Sequence, residues 1–155
     1  MLFDGTKKRF QMLNAGVEIT TNQVQYSLLD RRVENSMSDL AQEHNIPYLC
    51  YGSIAGGFLS DRYLGTSDPT QPYENRSLTK YRLIIDEFGG YNLFQELLKV
   101  LRTIADKYHV GVAEIASKYV LQKPMVASVI IGARNNKHLN NLKKLDYFNL
   151  NNDVE

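Results

Sequence analysis

Short apolar runs that end abruptly in glycine, with amphipathic stretches between them, constrain this chain more than any other feature. Tyr48 to Tyr51 is continuously apolar and passes straight into a turn rich in glycine. Val126 to Ile131, apolar except for Ser128, likewise runs straight into Gly132. A further strand lies within Ile19 to Tyr26. Strands alternating with helices give an α/β architecture with parallel strands. Apolar runs of this kind, rather than strict alternation, are expected where both faces of the sheet are covered. Only three strands are evident, and three parallel strands close poorly because their outer edges stay unpaired.

Helical spacing places the other elements. Asp4 caps a helix reaching Asn14, with Phe10 and Leu13 on one face and Gly16 as its stop. A second helix runs from Glu34 to His44, with Asn45 as its stop. The polar stretch Leu64 to Ser77 reads as a surface loop, followed by a short helical piece from Leu78 to Phe88 that ends at Gly89 and Gly90. The longest helix covers Asn92 to His109, where Leu93, Phe94, Leu97, Leu98, Leu101, Ile104, Ala105 and Tyr108 form one stripe. Val112, Ile115, Ala116, Tyr119 and Val120 mark another that ends before Pro124. A last helix begins near Asn135, and the tail from Tyr147 to Glu155 is expected to be irregular.

With 155 residues, 43% hydrophobic and 23% charged, the chain suits one domain, 1–155, and falls outside the disordered and fibrous classes. A net charge of +1 gives no electrostatic case for a nucleic-acid partner or an anionic membrane. The one basic triplet, Lys7-Lys8-Arg9, reads as a solvated helix face. No apolar run approaches the roughly 18–20 residues of a membrane span, and Met1 to Phe10 lacks the apolar core of a signal peptide. The expected location is therefore cytoplasmic. The single Cys50 excludes an internal disulfide framework and is expected to be a buried thiol behaving as a small hydrophobe.

Ligands of α/β folds gather at strand ends, so the two glycine turns are the candidate binding elements. In Tyr51 to Ser60, Gly52, Gly56 and Gly57 let the backbone approach an anion, and a helix starting near Phe58 would add its positive end. A tight strand-to-helix turn with no ligand explains the same residues. In Val129 to Leu139, Arg134 supplies a fixed cation and Asn135 a helix cap, a set that suits a phosphate. The plainer alternative is a cap beside a surface arginine. On one rim of a parallel barrel the two turns would meet as a split phosphate clamp. There is no His-x-x-x-His, Cys-x-x-Cys or Gly-x-Ser-x-Gly, so metal and serine-nucleophile chemistry have no support. His44 and His109 fall near helix C-termini, where positive charge is favoured. Asp30-Arg31-Arg32 reads most simply as a solvated loop with a local ion pair.

Four segments together resemble the aldo-keto reductases: NQVQYSLLDRR (Asn22 to Arg32), YGSIAGGFLSDRYLG (Tyr51 to Gly65), IDEFGGYNLFQELL (Ile85 to Leu98) and SVIIGAR (Ser128 to Arg134). They stand in family order with family spacing. The resemblance implies an α/β fold of the (β/α)₈ TIM-barrel type, of which this chain matches the last three strands and their helices. It also implies a domain that binds NADP(H) and reduces aldehydes or ketones. No position here matches the family's Asp, Tyr, Lys and His tetrad, so no catalytic residue is carried over. Such a barrel takes about 250 residues. The expected partners are therefore a complementary N-terminal half-barrel or a second copy of the chain, with a small carbonyl substrate only in the completed barrel.

Cofactor contacts are what the resemblance carries over. Gln23 matches the residue that hydrogen-bonds the nicotinamide carboxamide, and Tyr51 the aromatic that stacks on the nicotinamide. Without the family, Tyr51 reads as a core tyrosine at a barrel rim. Gly52, Ser53, Ile54, Gly57 and Leu59 match the pyrophosphate loop. Gly132, Ala133 and Arg134 match the segment around the adenosine 2′-phosphate, with His138 and Asn141 near the adenine. His138 stands where the family usually has Gln or Arg, and Leu142 where an Asn is common.

Overall fold

Parallel strands need long crossovers, and each gap between the apolar runs supplies one. The computed structural model describes residues 8, 11–69, 73, 76–132 and 139–150. Strands β1 (Asn22–Gln25), β2 (Tyr48–Tyr51) and β3 (Val126–Ile130) form one parallel sheet in that spatial order. Helix α1 (Ser36–Glu43) lies between the first two strands. Helices α2 (Arg76–Phe88), α3 (Tyr91–Tyr108) and α4 (Val112–Leu121) lie between the second and third, and the short α5 (Leu139–Leu142) follows. Among the described residues, no helix is long and apolar enough to cross a membrane.

Strand periodicity divides the sheet into two unlike faces. Val24, Tyr48, Cys50 and Val129 point to the helix side and pack with Val33, Ala41, Tyr119 and Val120. The opposite face carries Gln23, Leu49 and Ser128 in one row and Gln25, Tyr51 and Ile130 in the next. Gln23 and Ser128 are exposed, and Ile130 keeps 43% of its surface in solvent. The expectation of a sheet covered on both faces is thus corrected: the helices described cover one face only. Burial explains Cys50, which is fully enclosed and whose thiol is pushed up to about 11.

A second core lies beyond the strand ends. Phe58 and Leu59 from the glycine-rich segment pack there with Ile85, Phe94, Leu98 and Ile115, all fully buried. The rings of Phe58 and Phe94 meet edge to face at 6.2 Å. Asp61 fastens this segment to the α3–α4 corner, accepting from the Val112 amide (3.0 Å) and from Arg102 (2.5 Å). Arg102 also donates to the Val110 carbonyl at 2.7 Å.

Helix ends follow the sequence signals closely. Gly16, Asn45 and His109 all sit at positive φ after helical residues, and His109 is the C-cap of α3. Two expectations need correction. The piece ending at Phe88 is a 13-residue helix that begins at Arg76. No helix starts at Phe58: single 3-10 turns at Ala55–Gly57 and Asp61–Tyr63 occupy this stretch, separated by the extended Ser60. Phe58 and Leu59 are drawn into the core, and the Ser60 hydroxyl bonds back to the Gly57 carbonyl, so the chain breaks where a helix would have to continue.

Candidate functional site

The site is built at the C-terminal edge of the sheet, where the Tyr51 main chain also accepts the Tyr26 amide (3.1 Å). Tyr51 pairs with Ile130, so the turns leaving β2 and β3 start side by side. In the first turn the amides of Ala55, Gly57, Phe58 and Leu59 are bonded within the turn itself. The Ser53 and Ile54 amides take no partner among the described residues. Ser53 is 1% exposed, yet its hydroxyl has no hydrogen-bond partner among the described residues. A buried hydroxyl without a partner costs free energy. Two adjacent free amides beside it make a donor set that fits a phosphate oxygen.

The glycines here have different reasons to be glycine. Gly52 and Gly56 have φ of +72° and +66°, and a Cβ on either would press into Tyr81, at 2.5 Å from its hydroxyl and 2.6 Å from its ring. Packing against α2 therefore accounts for both, in place of an anion. Gly57, at φ +104°, and Gly132 have open space where a Cβ would stand. Tyr81 is buried against the turn, and burial, then the neighbouring Tyr51 and Asp30, raise its pKa, so its phenol stays neutral. Lys80 lies beside it, its ammonium 5.2 Å from the Tyr51 ring centre and 5.5 Å from that of Tyr81.

A polar cluster closes the neighbouring end of β1. Ser27 opens a tight turn, its hydroxyl accepting from the Leu29 and Asp30 amides. Asp30 is 4% exposed and held at both oxygens by Arg32 (2.7 and 2.6 Å), while Gln25 donates to it at 2.6 Å. The expected solvated loop is corrected here, because the carboxylate is buried. Burial alone would raise its pKa, but the Arg32 hydrogen bonds and charge outweigh this and hold it below the usual carboxylate range. The Gln25 side-chain amide oxygen is buried and has no partner among the described residues, on the open face level with Tyr51. Arg31 instead grips Glu34, which also accepts from Tyr26 (2.5 Å).

The sequence-derived residues divide as follows. Gln23 is exposed on the open face, one row below Tyr51. Gly52, Ser53, Ile54 and Gly57 share the first turn. Leu59 belongs to it too, but its side chain is fully buried and its amide is bonded to Ile54, so it shapes the turn from behind. Gly132 follows β3, and Asn141 is half-buried in α5. Ala133, Arg134 and His138 lie outside the described residues. Sequence reasoning missed Lys80, Tyr81, Gln25 and the burial of Asp30. The Ser27-to-Asp30 spacing of a side-chain turn was a readable signal for the last; nothing local announces that α2 reaches the glycine turn. Two shallow cavities, of about 220 and 350 Å³, lie elsewhere and are lined by none of the carried-over residues. No group of three or more His, Cys, Asp or Glu among the described residues could hold a metal.

Comparison with known proteins gives the family. The model of the aldo/keto reductase family matches residues 6–154. The chain belongs to that family. It is 30% identical over 135 residues to an aldo-keto reductase of Babesia bovis, covering 83% of this chain and 46% of that protein. It is 33% identical over 110 residues to flagellar radial spoke protein 5 of Chlamydomonas reinhardtii, covering 69% of this chain and 21% of that protein. Among solved structures, the aldo-keto reductase AKR11C1 of Bacillus halodurans superposes with a TM-score of 0.62 at 26% identity, over 95% of this chain and 44% of that one. The glycerol dehydrogenase AKR11B4 of Gluconobacter oxydans superposes with a TM-score of 0.78 at 19% identity, over 95% and 43%, which is a likeness of fold. The aldo-keto reductase chain described here spans less than half the length of each of these relatives.

Proposed function

We propose that this chain is the cofactor-binding part of an NADP(H)-dependent carbonyl oxidoreductase, forming the last three strands of a (β/α)₈ barrel. The observation that carries the reading is the buried Ser53 hydroxyl, beside the Ser53 and Ile54 amides at the end of β2, all three without a partner among the described residues. Ser53, Ile54 and Gly57 would hold the pyrophosphate, Tyr51 and Gln23 the nicotinamide, and Arg134, His138 and Asn141 the adenosine end. When bound, NADP(H) supplies or accepts a hydride. The catalytic tetrad would come from a complementary N-terminal half-barrel docked on the open sheet face; a second copy could cover the same face but would bring no tetrad. The completed barrel would take a small aldehyde or ketone in the cytoplasm. The same open face with exposed Ile130 favours, as a second reading, an interaction module without catalysis.

Titration of the chain with NADPH and NADH by calorimetry tests the reading. Arg134→Ala should weaken NADPH about ten- to a hundredfold and leave NADH nearly unchanged, the cost of losing one charge-assisted contact. Tyr51→Ala should weaken both, since stacking ignores the phosphate. Equal losses for both cofactors at Arg134 would make it a helix cap and remove the 2′-phosphate assignment.

A further inference from the structure

We propose that Lys80 sets the preference of this site for the reduced over the oxidised cofactor. The proposal rests on the reading above that Tyr51 stacks the nicotinamide. Lys80 extends from α2 to within 5.2 Å of the Tyr51 ring centre, the distance at which an ammonium is attracted by the negative face of an aromatic ring. Among the described residues no carboxylate pairs with it. The charge of Arg32 also acts on Tyr51, but its bonds to Asp30 offset it. Among the described residues, Lys80 is therefore a cation over this ring without an ion-pair partner.

The oxidised nicotinamide is a cation and the reduced ring is neutral. Stacked on Tyr51, the oxidised ring draws on the same π density that Lys80 already uses, and the two positive charges repel. The reduced ring meets neither penalty. The phosphates, by contrast, are identical in the two redox states. Any contact with them cancels in the ratio of the two affinities.

The full chain should be titrated with NADPH and with NADP⁺ by calorimetry, as wild type, Lys80→Met and Lys80→Arg. Methionine keeps the length of the stem and removes the charge. The wild type should bind NADPH more tightly, Lys80→Met should lower that preference about two- to fivefold, and Lys80→Arg should restore it. If Lys80→Met weakens both forms equally, or changes neither, the inference fails while the cofactor reading stands. If the wild type binds neither nucleotide, the reading itself fails and the inference with it.

Discussion

Replacing Gly56 by alanine isolates the physical reason for a glycine in the turn. The residue sits at φ +66°, ψ 13°, a left-handed conformation that costs an L-residue about 1–2 kcal/mol. The added methyl would also stand 2.6 Å from Cδ2 and 3.0 Å from Cε2 of Tyr81. That ring is 8% exposed and anchored in the second core, so it cannot swing into solvent. To reach ordinary contact it must move by roughly 1 Å, an overpacking strain typically worth about 1–3 kcal/mol. Gly56→Ala should therefore lose about 2–5 kcal/mol, a large part of the roughly 5–15 kcal/mol that stabilises a domain. The chain has no tryptophan and 10 tyrosines, so urea unfolding is best followed by circular dichroism with tyrosine emission as a second probe. In a Tyr81→Leu background the ring is gone, and the same substitution should cost only the backbone part, about 1–2 kcal/mol. Gly57→Ala, with open space at its Cβ, should also show the backbone cost alone. Equal losses for Gly56→Ala in both backgrounds would refute the role given to Tyr81.

Two further outcomes are expected. Asp30 has a folded pKa below its unfolded value near about 4, so its stabilisation is present above that pH and disappears as pH falls through the folded value. Asp30→Asn should thus flatten the loss of stability below about pH 4 in urea midpoints taken across the acid range, and parallel wild-type and variant curves would contradict this. Asp61→Ala should cost about 1–2.5 kcal/mol, mostly the lost cap on α4, since the pair with Arg102 is half exposed. Asp61→Asn should recover most of that loss, because it keeps an acceptor for the Val112 amide; failure to do so would move the weight onto the ion pair.

How much of this could be read from the chain follows from the range of each interaction. Helix stops at Gly16 and Asn45 are local decisions about φ, and the residue types announce them. Most of the α3 stripe was equally plain because its period is written in adjacent turns: Phe94, Leu98, Leu101 and Ala105 are all fully buried, whereas Leu93, counted with them, is 46% exposed. The false helix start at Phe58 shows the limit. Locally the glycines and the apolar pair Phe58-Leu59 suit a helix N-terminus, but the core formed by α2, α3 and α4 takes both side chains and forces the chain into separate 3-10 turns. Lys80 and Tyr81 escaped for the same reason, since their approach to Gly52 and Tyr51 depends on how α2 docks. Ser53 came from the family resemblance alone, since no spacing rule distinguishes it; its hydroxyl is buried and takes no partner among the described residues.

The open face of the sheet ties the candidate site to the question of partners. A face meant for water would be polar along its length, and one meant for a dry core would be apolar. This one alternates in space: Gln23, Gln25 and Ser128 stand among Leu49, Tyr51 and Ile130. Mixed lining with a few fixed polar groups is what ligand-binding interiors present. Its unpaired strand edges and its uncovered apolar side chains call for the same remedy, a further set of strands. Both glycine turns leave from the upper edge of this face, so on the proposed reading a bound nucleotide and a docked half-barrel would contact one continuous surface. By linkage, whatever strengthening one gave to the binding of the other would be returned by the same factor.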